Sequence, residues 1–141
     1  MYAAWYERNG SADEVLTFGE MDDPQVGPGE VRVKIHASGV NPSDVKRRAG
    51  STAKMEFPRV VPQSDGAGII DAVGEGVPAE RVGERVWVWN AQFGRPFGTA
   101  AQYIALPSEQ AIHLPDNVDF AKGACLGIPA LTAHYALFAD G

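Results

Sequence analysis

Val31, Val33 and Ile35 alternate with Arg32, Lys34 and His36, the period-two pattern of a strand with one face in a core and the other in solvent. Pro28-Gly29 sets this strand off with a turn, and Pro24 stops any helix continuing from the apolar run Val15–Phe18. The same reading predicts strands over Tyr2–Tyr6, Gly68–Val73, Arg85–Trp89 and Tyr103–Leu106, separated by Gly74-Glu75-Gly76, Val82-Gly83-Glu84 and Pro107. Many short strands with turns between them point to a barrel or a sandwich. Trp87 and Trp89 share one face of their strand, opposite Val86 and Val88, and alternation alone does not say which face meets the core.

After Asp116-Asn117 the pattern turns helical. Asp119 is placed to cap a helix over Phe120–Cys125, which Gly127 breaks. A second helix is predicted from Pro129, where a proline suits the first turn, with Leu131, Tyr135 and Phe138 on one face. That face needs something to pack on, and the 141 residues offer no later segment to supply it.

Length and composition are those of one soluble domain able to bury its own core. Twelve Lys and Arg against eighteen Asp and Glu give a net charge of -6, which opposes attraction to phosphate backbones or anionic lipid. Nucleic acid and membrane partners are therefore not expected. Cys125 is the only cysteine, so an intrachain disulfide and a multi-cysteine zinc site are both ruled out. The N-terminus lacks the character of a signal peptide, and the apolar stretch Gly123–Ala139 is broken by Pro129 and His134. A cytoplasmic location is the expectation by elimination.

Two segments carry polar groups that can do chemistry. In Gly39-Val40-Asn41-Pro42-Ser43-Asp44, spacing alone favours a capping role: Asn41 as N-cap, Pro42 in the first turn and Asp44 at the third position start a helix running to Gly50. In Val61-Pro62-Gln63-Ser64-Asp65-Gly66-Ala67-Gly68, small residues lead into Ile69-Ile70, as a loop entering a tightly packed strand would. Neither segment names an activity by itself.

Together, in this order, they resemble the medium-chain dehydrogenase/reductase superfamily, and within it the zinc-free, zeta-crystallin-like quinone oxidoreductases. The first segment is similar to that branch's G-V-N-P-x-D motif, and Ser64–Gly68 to its S/T-D/E-x-A-G motif. Val82-Gly83-Glu84-Arg85-Val86 resembles a V-G-D-R-V turn, Gly98-Thr99-Ala100-Ala101-Gln102-Tyr103 a G-x-x-A-E-Y strand, and Gly127-Ile128-Pro129-Ala130-Leu131-Thr132-Ala133 a G-I-P-x-x-T-A helix start. The resemblance covers essentially the whole chain. It implies a mainly β, GroES-like barrel with short helices over residues 1–126. Residues 127–141 would then start the helix leading to a nucleotide-binding Rossmann domain that lies outside the chain.

Zinc-dependent relatives carry Cys, His and Cys where this chain has Asn41, Ser64 and a residue near Ile128. His36, His113 and His134 are too scattered to replace them, so no metal is expected. His36 reads as an exposed strand residue and His134 as a helix-surface or interface residue. The resemblance further implies NADPH as hydride donor, bound mainly beyond residue 141, since no glycine-rich dinucleotide fingerprint follows a strand here. Asn41 and Asp44 would stand near the nicotinamide and the substrate carbonyl, with Ser64 and Asp65 across from them. The Asn41 amide would stabilise charge on oxygen, while Asp44 would orient or cap. Thr132 would reach the nicotinamide side, or be a plain helix-surface hydroxyl.

The chain departs from the pattern where Lys46 and Thr52 stand in place of tyrosines, and where Gln63 replaces a glycine before the Ser-Asp pair. A changed loop conformation is expected at Gln63, because glycine alone takes positive φ freely. The substrate pocket is expected to use Lys46, Trp89 and Phe93, with Trp87 and Phe97 as further candidates for an aromatic wall. The substrate would be a quinone or conjugated carbonyl, the longer protein a homodimer, and the isolated chain inactive towards NADPH. The alternatives are an enoyl reductase of the same superfamily and a stand-alone GroES-like binding module.

Overall fold

A computed structural model of the chain describes residues 1–52 and 54–139. Its strands are β1 (Tyr2–Trp5), β2 (Thr17–Glu20), β3 (Glu30–Gly39), β4 (Asp65–Val73), β5 (Arg85–Val88), β6 (Tyr103–Pro107) and β7 (Ala111–His113). The helices are α1 (Ala12–Val15), α2 (Pro42–Ala49), α3 (Phe120–Gly123) and α4 (Leu131–Phe138). The chain is mainly β with short helices, as the hydrophobic pattern predicts. All five predicted strands are present, with ends shifted by up to three residues. β2 is exposed at three of its four positions and β7 has only three residues, so neither writes a buried face into its sequence.

An antiparallel sheet runs in the order β6-β3-β4-β5-β7, and β1 and β2 form a separate antiparallel pair tied to it by a bridge between Ala3 and Ala101. The alternation in β3 does what it implies. Val31 and Val33 are fully buried, joining Ile70 of β4, Val86 and Val88 of β5, and Ile104 and Leu106 of β6 in the main core. Burial of each such side chain is worth roughly 1.5–3 kcal/mol. The β5 question is settled as well: the valines point inward, and Trp87 lies on the other face against Ala67, Leu114 and Ala124.

β3 and β4 pair with two register shifts, and they approach too closely for a side chain at Gly68, where a Cβ would lie 2.0 Å from the Lys34 carbonyl oxygen. α2 starts and ends where its capping residues predict, from Asn41 to Gly50. α3 is shorter than the predicted Phe120–Cys125, but Asp119 caps it, its carboxylate accepting from the Lys122 N–H at 2.8 Å. The predicted break at Gly127 is real (φ -67°, ψ -112°), and the second helix is preceded by a wide turn over Leu126–Ala130 rather than starting cleanly at Pro129. Leu131, Tyr135 and Phe138 are exposed on α4. His36 is exposed and stacks on Phe120 at 4.5 Å, and His134 lies on α4 beside Phe138.

Candidate active site

The β3–β4 register places Gly39 opposite Asp65, so the end of one strand and the beginning of the next deliver both polar segments to one spot. Asn41 follows β3 and caps α2, whose first turn is fixed by the Asp44 carboxylate accepting from the Asn41 N–H at 2.8 Å. The Asn41 side chain turns towards β4 and its Nδ2 donates to Asp65 Oδ2 at 2.8 Å. The Ile128 N–H donates to the same oxygen at 2.9 Å. One buried carboxylate thus joins the cap of α2 to the turn that precedes α4.

Asp65 is completely buried, and its Oδ1 has no hydrogen-bond partner. A Cβ at Gly127 would lie 2.1 Å from that oxygen, so any side chain there must push the Asp65 carboxylate aside. Burial pushes the Asp65 carboxyl above the usual range, and the bonds from Asn41 and Ile128 pull it partly back. Asp44 is raised too, first by burial; the Asn41 N–H opposes this, the neighbouring Asp65 charge adds to it, and Arg47 opposes it.

Ser64 is buried beside this pair, its carbonyl accepting from the Ala91 N–H at 2.9 Å and so holding the 90–94 loop against the start of β4. Thr99, also buried, donates from Oγ1 to the Asp65 carbonyl at 2.6 Å and lies 2.7 Å from Ser38 Oγ. Ser38 also bonds to the Gln63 side chain. Gln63 itself takes φ 80°, the left-handed conformation that glycine adopts freely. This corrects the expectation of a changed loop: the backbone keeps a glycine-like shape with a glutamine in it, held by the Gln63 carbonyl accepting from Thr99 N–H at 2.9 Å.

The other expected site residues divide. Trp89 and Thr132 come together in a shallow depression of about 400 Å³ with Asn90, Ile128, Leu131 and Tyr135. Phe93 lies instead at a cleft of about 200 Å³ beside α2, with Tyr6, Arg47, Phe57 and Gln92 among its neighbours. Lys46 is exposed on α2, and the next residue, Arg47, is the one that turns into that cleft. Thr52 is exposed. Thr99, Arg47 and Gln92 carried no signal in the sequence, because their partners lie 34 and 45 residues away.

Asn41, Ser64 and Ile128 offer an amide, a hydroxyl and an aliphatic side chain. No group of three or more His, Cys, Asp or Glu side chains among the described residues is placed to hold a metal ion. No helix among the described residues is long and apolar enough to cross a membrane.

The profile of the alcohol dehydrogenase GroES-like domain matches residues 27–116. A rat quinone oxidoreductase is 39% identical over 109 residues, covering 77% of this chain and 32% of that protein. A quinone oxidoreductase of Pseudomonas aeruginosa is 36% identical over 124 residues, covering 88% of this chain and 37% of that protein. Among solved structures, a mycobacterial protein in complex with NADPH superposes with a TM-score of 0.85 at 30% identity, covering 99% of this chain and 41% of that one. The chain spans about a third of the length of the curated relatives it matches. With well over half of its residues inside the matched profile, the chain belongs to the alcohol dehydrogenase GroES-like domain family.

Proposed function

We propose that this chain is the substrate-binding, catalytic half of an NADPH-dependent quinone oxidoreductase that works without zinc. In this reading residues 1–126 form the catalytic domain and residues 127–141 begin the connection to a nucleotide-binding domain. The observation that carries the reading is the Asn41–Asp65–Ile128 junction. Asn41 and Ser64 stand where the resemblance places zinc ligands in other branches of the superfamily; here Asn41 is instead hydrogen-bonded to Asp65, the residue after Ser64, and through that carboxylate to the Ile128 N–H. An amide, a hydroxyl and an aliphatic chain are a poor donor set for zinc.

The depression around Trp89, Thr132 and Ile128 fits a flat ring bearing an amide, since aromatic and aliphatic faces there stand beside the Thr132 hydroxyl and the Asn90 amide. NADPH supplies a hydride when bound, and the substrate carbonyl oxygen then gains negative charge that a proton from water neutralises. Asn41 donates one amide N–H to Asp65, and no described residue accepts the other. That second N–H is the donor offered to the developing oxygen charge, and Asp65 keeps the amide from rotating away. Asp65, being fully buried, positions rather than reacts. Asp44 holds the α2 cap. Ser64 anchors the facing loop through its carbonyl.

The test is steady-state NADPH oxidation by the protein that joins this chain to its nucleotide-binding domain, against a quinone panel and a panel of enones and enoyl thioesters. Highest kcat/KM for quinones is the expected result. Equal or greater turnover of the second panel replaces the reading with an enoyl reductase, and no oxidation with either removes the reductase reading altogether. The 141-residue chain alone is expected to bind substrate analogues without turning over NADPH.

A further inference from the structure

The cleft beside α2 is distinct from the depression around Trp89 and Thr132, and its charge pattern stands against that of the chain. Its apolar lining comes from Tyr6, Met55, Phe57, Val60 and Phe93. Two cations, Arg47 and Lys54, face a single carboxylate, that of Glu56. The chain as a whole carries -6, so a local excess of positive charge in an apolar cleft is not a by-product of composition.

Arg47 is the informative residue. It is half-buried, yet among the described residues no carboxylate lies within ion-pair distance of it. Asp44 acts on it only through space. Its Nη1 donates to the Gln92 side-chain oxygen at 2.6 Å and to the Gln92 carbonyl at 3.3 Å. Gln92 is itself buried, and its Nε2 is fixed on the Arg95 carbonyl at 3.3 Å. A buried, doubly anchored amide therefore holds one arm of the guanidinium still. Nε and Nη2 make no hydrogen bond to any described residue, which leaves the planar fork that matches a carboxylate or sulfonate. Ordering a long side chain and partly desolvating its charge both oppose folding, and a neutral glutamine only partly offsets them.

The cleft is also tied to the reacting end. Arg47 sits on α2, the helix that Asn41 caps, roughly 9 Å of helix axis from it. Gln92 and Phe93 of the cleft's lining follow directly from Ala91, which is bound to Ser64.

We infer that this cleft is an anion-recognising subsite, and that the preferred substrates are planar aromatic quinones or conjugated carbonyls bearing a carboxylate or sulfonate, gripped by Arg47 while their rings lie against Phe57 and Phe93. The inference rests on the reductase reading for the word substrate, but the binding it describes needs no hydride transfer.

The experiment compares anthraquinone-2-sulfonate with the neutral 2-(hydroxymethyl)anthraquinone, by calorimetry and amide chemical-shift mapping on the 141-residue chain. Neither probe is an acceptor for addition of the exposed Cys125 thiol. The sulfonate is expected to bind about tenfold tighter or more at low salt, as a charge-assisted hydrogen bond would give, with shifts centred on Tyr6, Arg47, Phe57 and Phe93. Arg47→Gln should bring the affinity ratio to within about twofold of one, and Lys54→Gln, on an exposed residue, should reduce it by a smaller factor. Equal affinity for the two probes in the wild type, shifts centred elsewhere, or an unchanged ratio in Arg47→Gln would each overturn the inference. A sulfonate preference in a protein that oxidises NADPH with neither substrate panel would retain the subsite and sink the reductase reading, and turnover of quinones without the preference would do the reverse.

Discussion

The junction at Asp65 makes a quantitative prediction that a double-mutant cycle can read. Asn41→Ala removes one donor from Asp65 Oδ2 and leaves the backbone bond between Asn41 and Asp44 in place. Asp65→Ala removes the acceptor of two donors, the Asn41 amide and the Ile128 N–H, and also removes a buried carboxylate whose charged form is disfavoured. A hydrogen bond to a charged group contributes about 1.5–3 kcal/mol. The two bonds are therefore worth roughly 3–6 kcal/mol gross, offset in part by relief from desolvation, which appears equally in both backgrounds. That offset cancels in the cycle. The coupling between the two substitutions, from urea unfolding at neutral pH, is expected at about 1.5–3 kcal/mol. Coupling below about 0.5 kcal/mol is what independent sites give, and would show that Asp65 does not hold the Asn41 amide.

Three further outcomes follow from the same region. Because burial raises Asp65 and Asp44, the folded chain binds protons more tightly than the unfolded one; this stability is fully present below the unfolded carboxyl value of about 3.9 and is lost as pH rises through the raised folded values. Unfolding free energies of wild type and Asp65→Asn, measured from about pH 4 to 7, should move in favour of the variant as pH rises, and a flat difference would contradict the shift at Asp65. Gly127→Ala should cost about 1–3 kcal/mol through its clash with Asp65 Oδ1 and distinctly less in an Asp65→Ala background, again by urea unfolding; equal costs would mean that Asp65 is not what the new methyl meets. Gln63→Gly should be more stable than Gln63→Ala by about 1–2 kcal/mol, since both lose the bond to Ser38 and only glycine is relieved at φ 80°, an order that thermal unfolding can check.

What could be read beforehand, and what could not, follows the sequence separation of the partners. The α2 cap was legible because Asn41, Pro42 and Asp44 interact within three residues. The alternation at Val31 and Val33 was legible because a strand writes its buried face into its own order. Asp65 was recognisable as a site residue only through the five-motif resemblance, and its actual work stayed hidden because its donors lie 24 and 63 residues away. The same holds for Arg47: nothing in the run Lys46-Arg47-Arg48 says which cation turns inward, and the answer comes from Gln92, 45 residues further on. Gln63 misled for a different reason. A propensity argument assigns positive φ to glycine, but the bond from the Thr99 N–H and the tight approach of Gly98 to the Gln63 carbonyl impose the conformation on whatever residue stands there.

A buried carboxylate with one unpartnered oxygen is an expensive way to hold two loops together, and a neutral acceptor would be cheaper if stability were the only requirement. The geometry indicates what the charge adds. A single oxygen takes donors from the α2 cap and from the turn before α4 at once, so neither element can shift without changing the other's hydrogen bond. Glycine at 127 and the close approach of Gly39 to the Ala124 carbonyl, 2.5 Å from a virtual Cβ, leave the backbone no slack on either side. On the proposed reading this fixes the oxygen-facing amide relative to the helix that carries Thr132, and it does so without a metal-like ligand set. Preorganised donors act most strongly where they need not move during the reaction, and a carboxylate that binds both the α2 cap and the turn before α4 supplies that constraint directly.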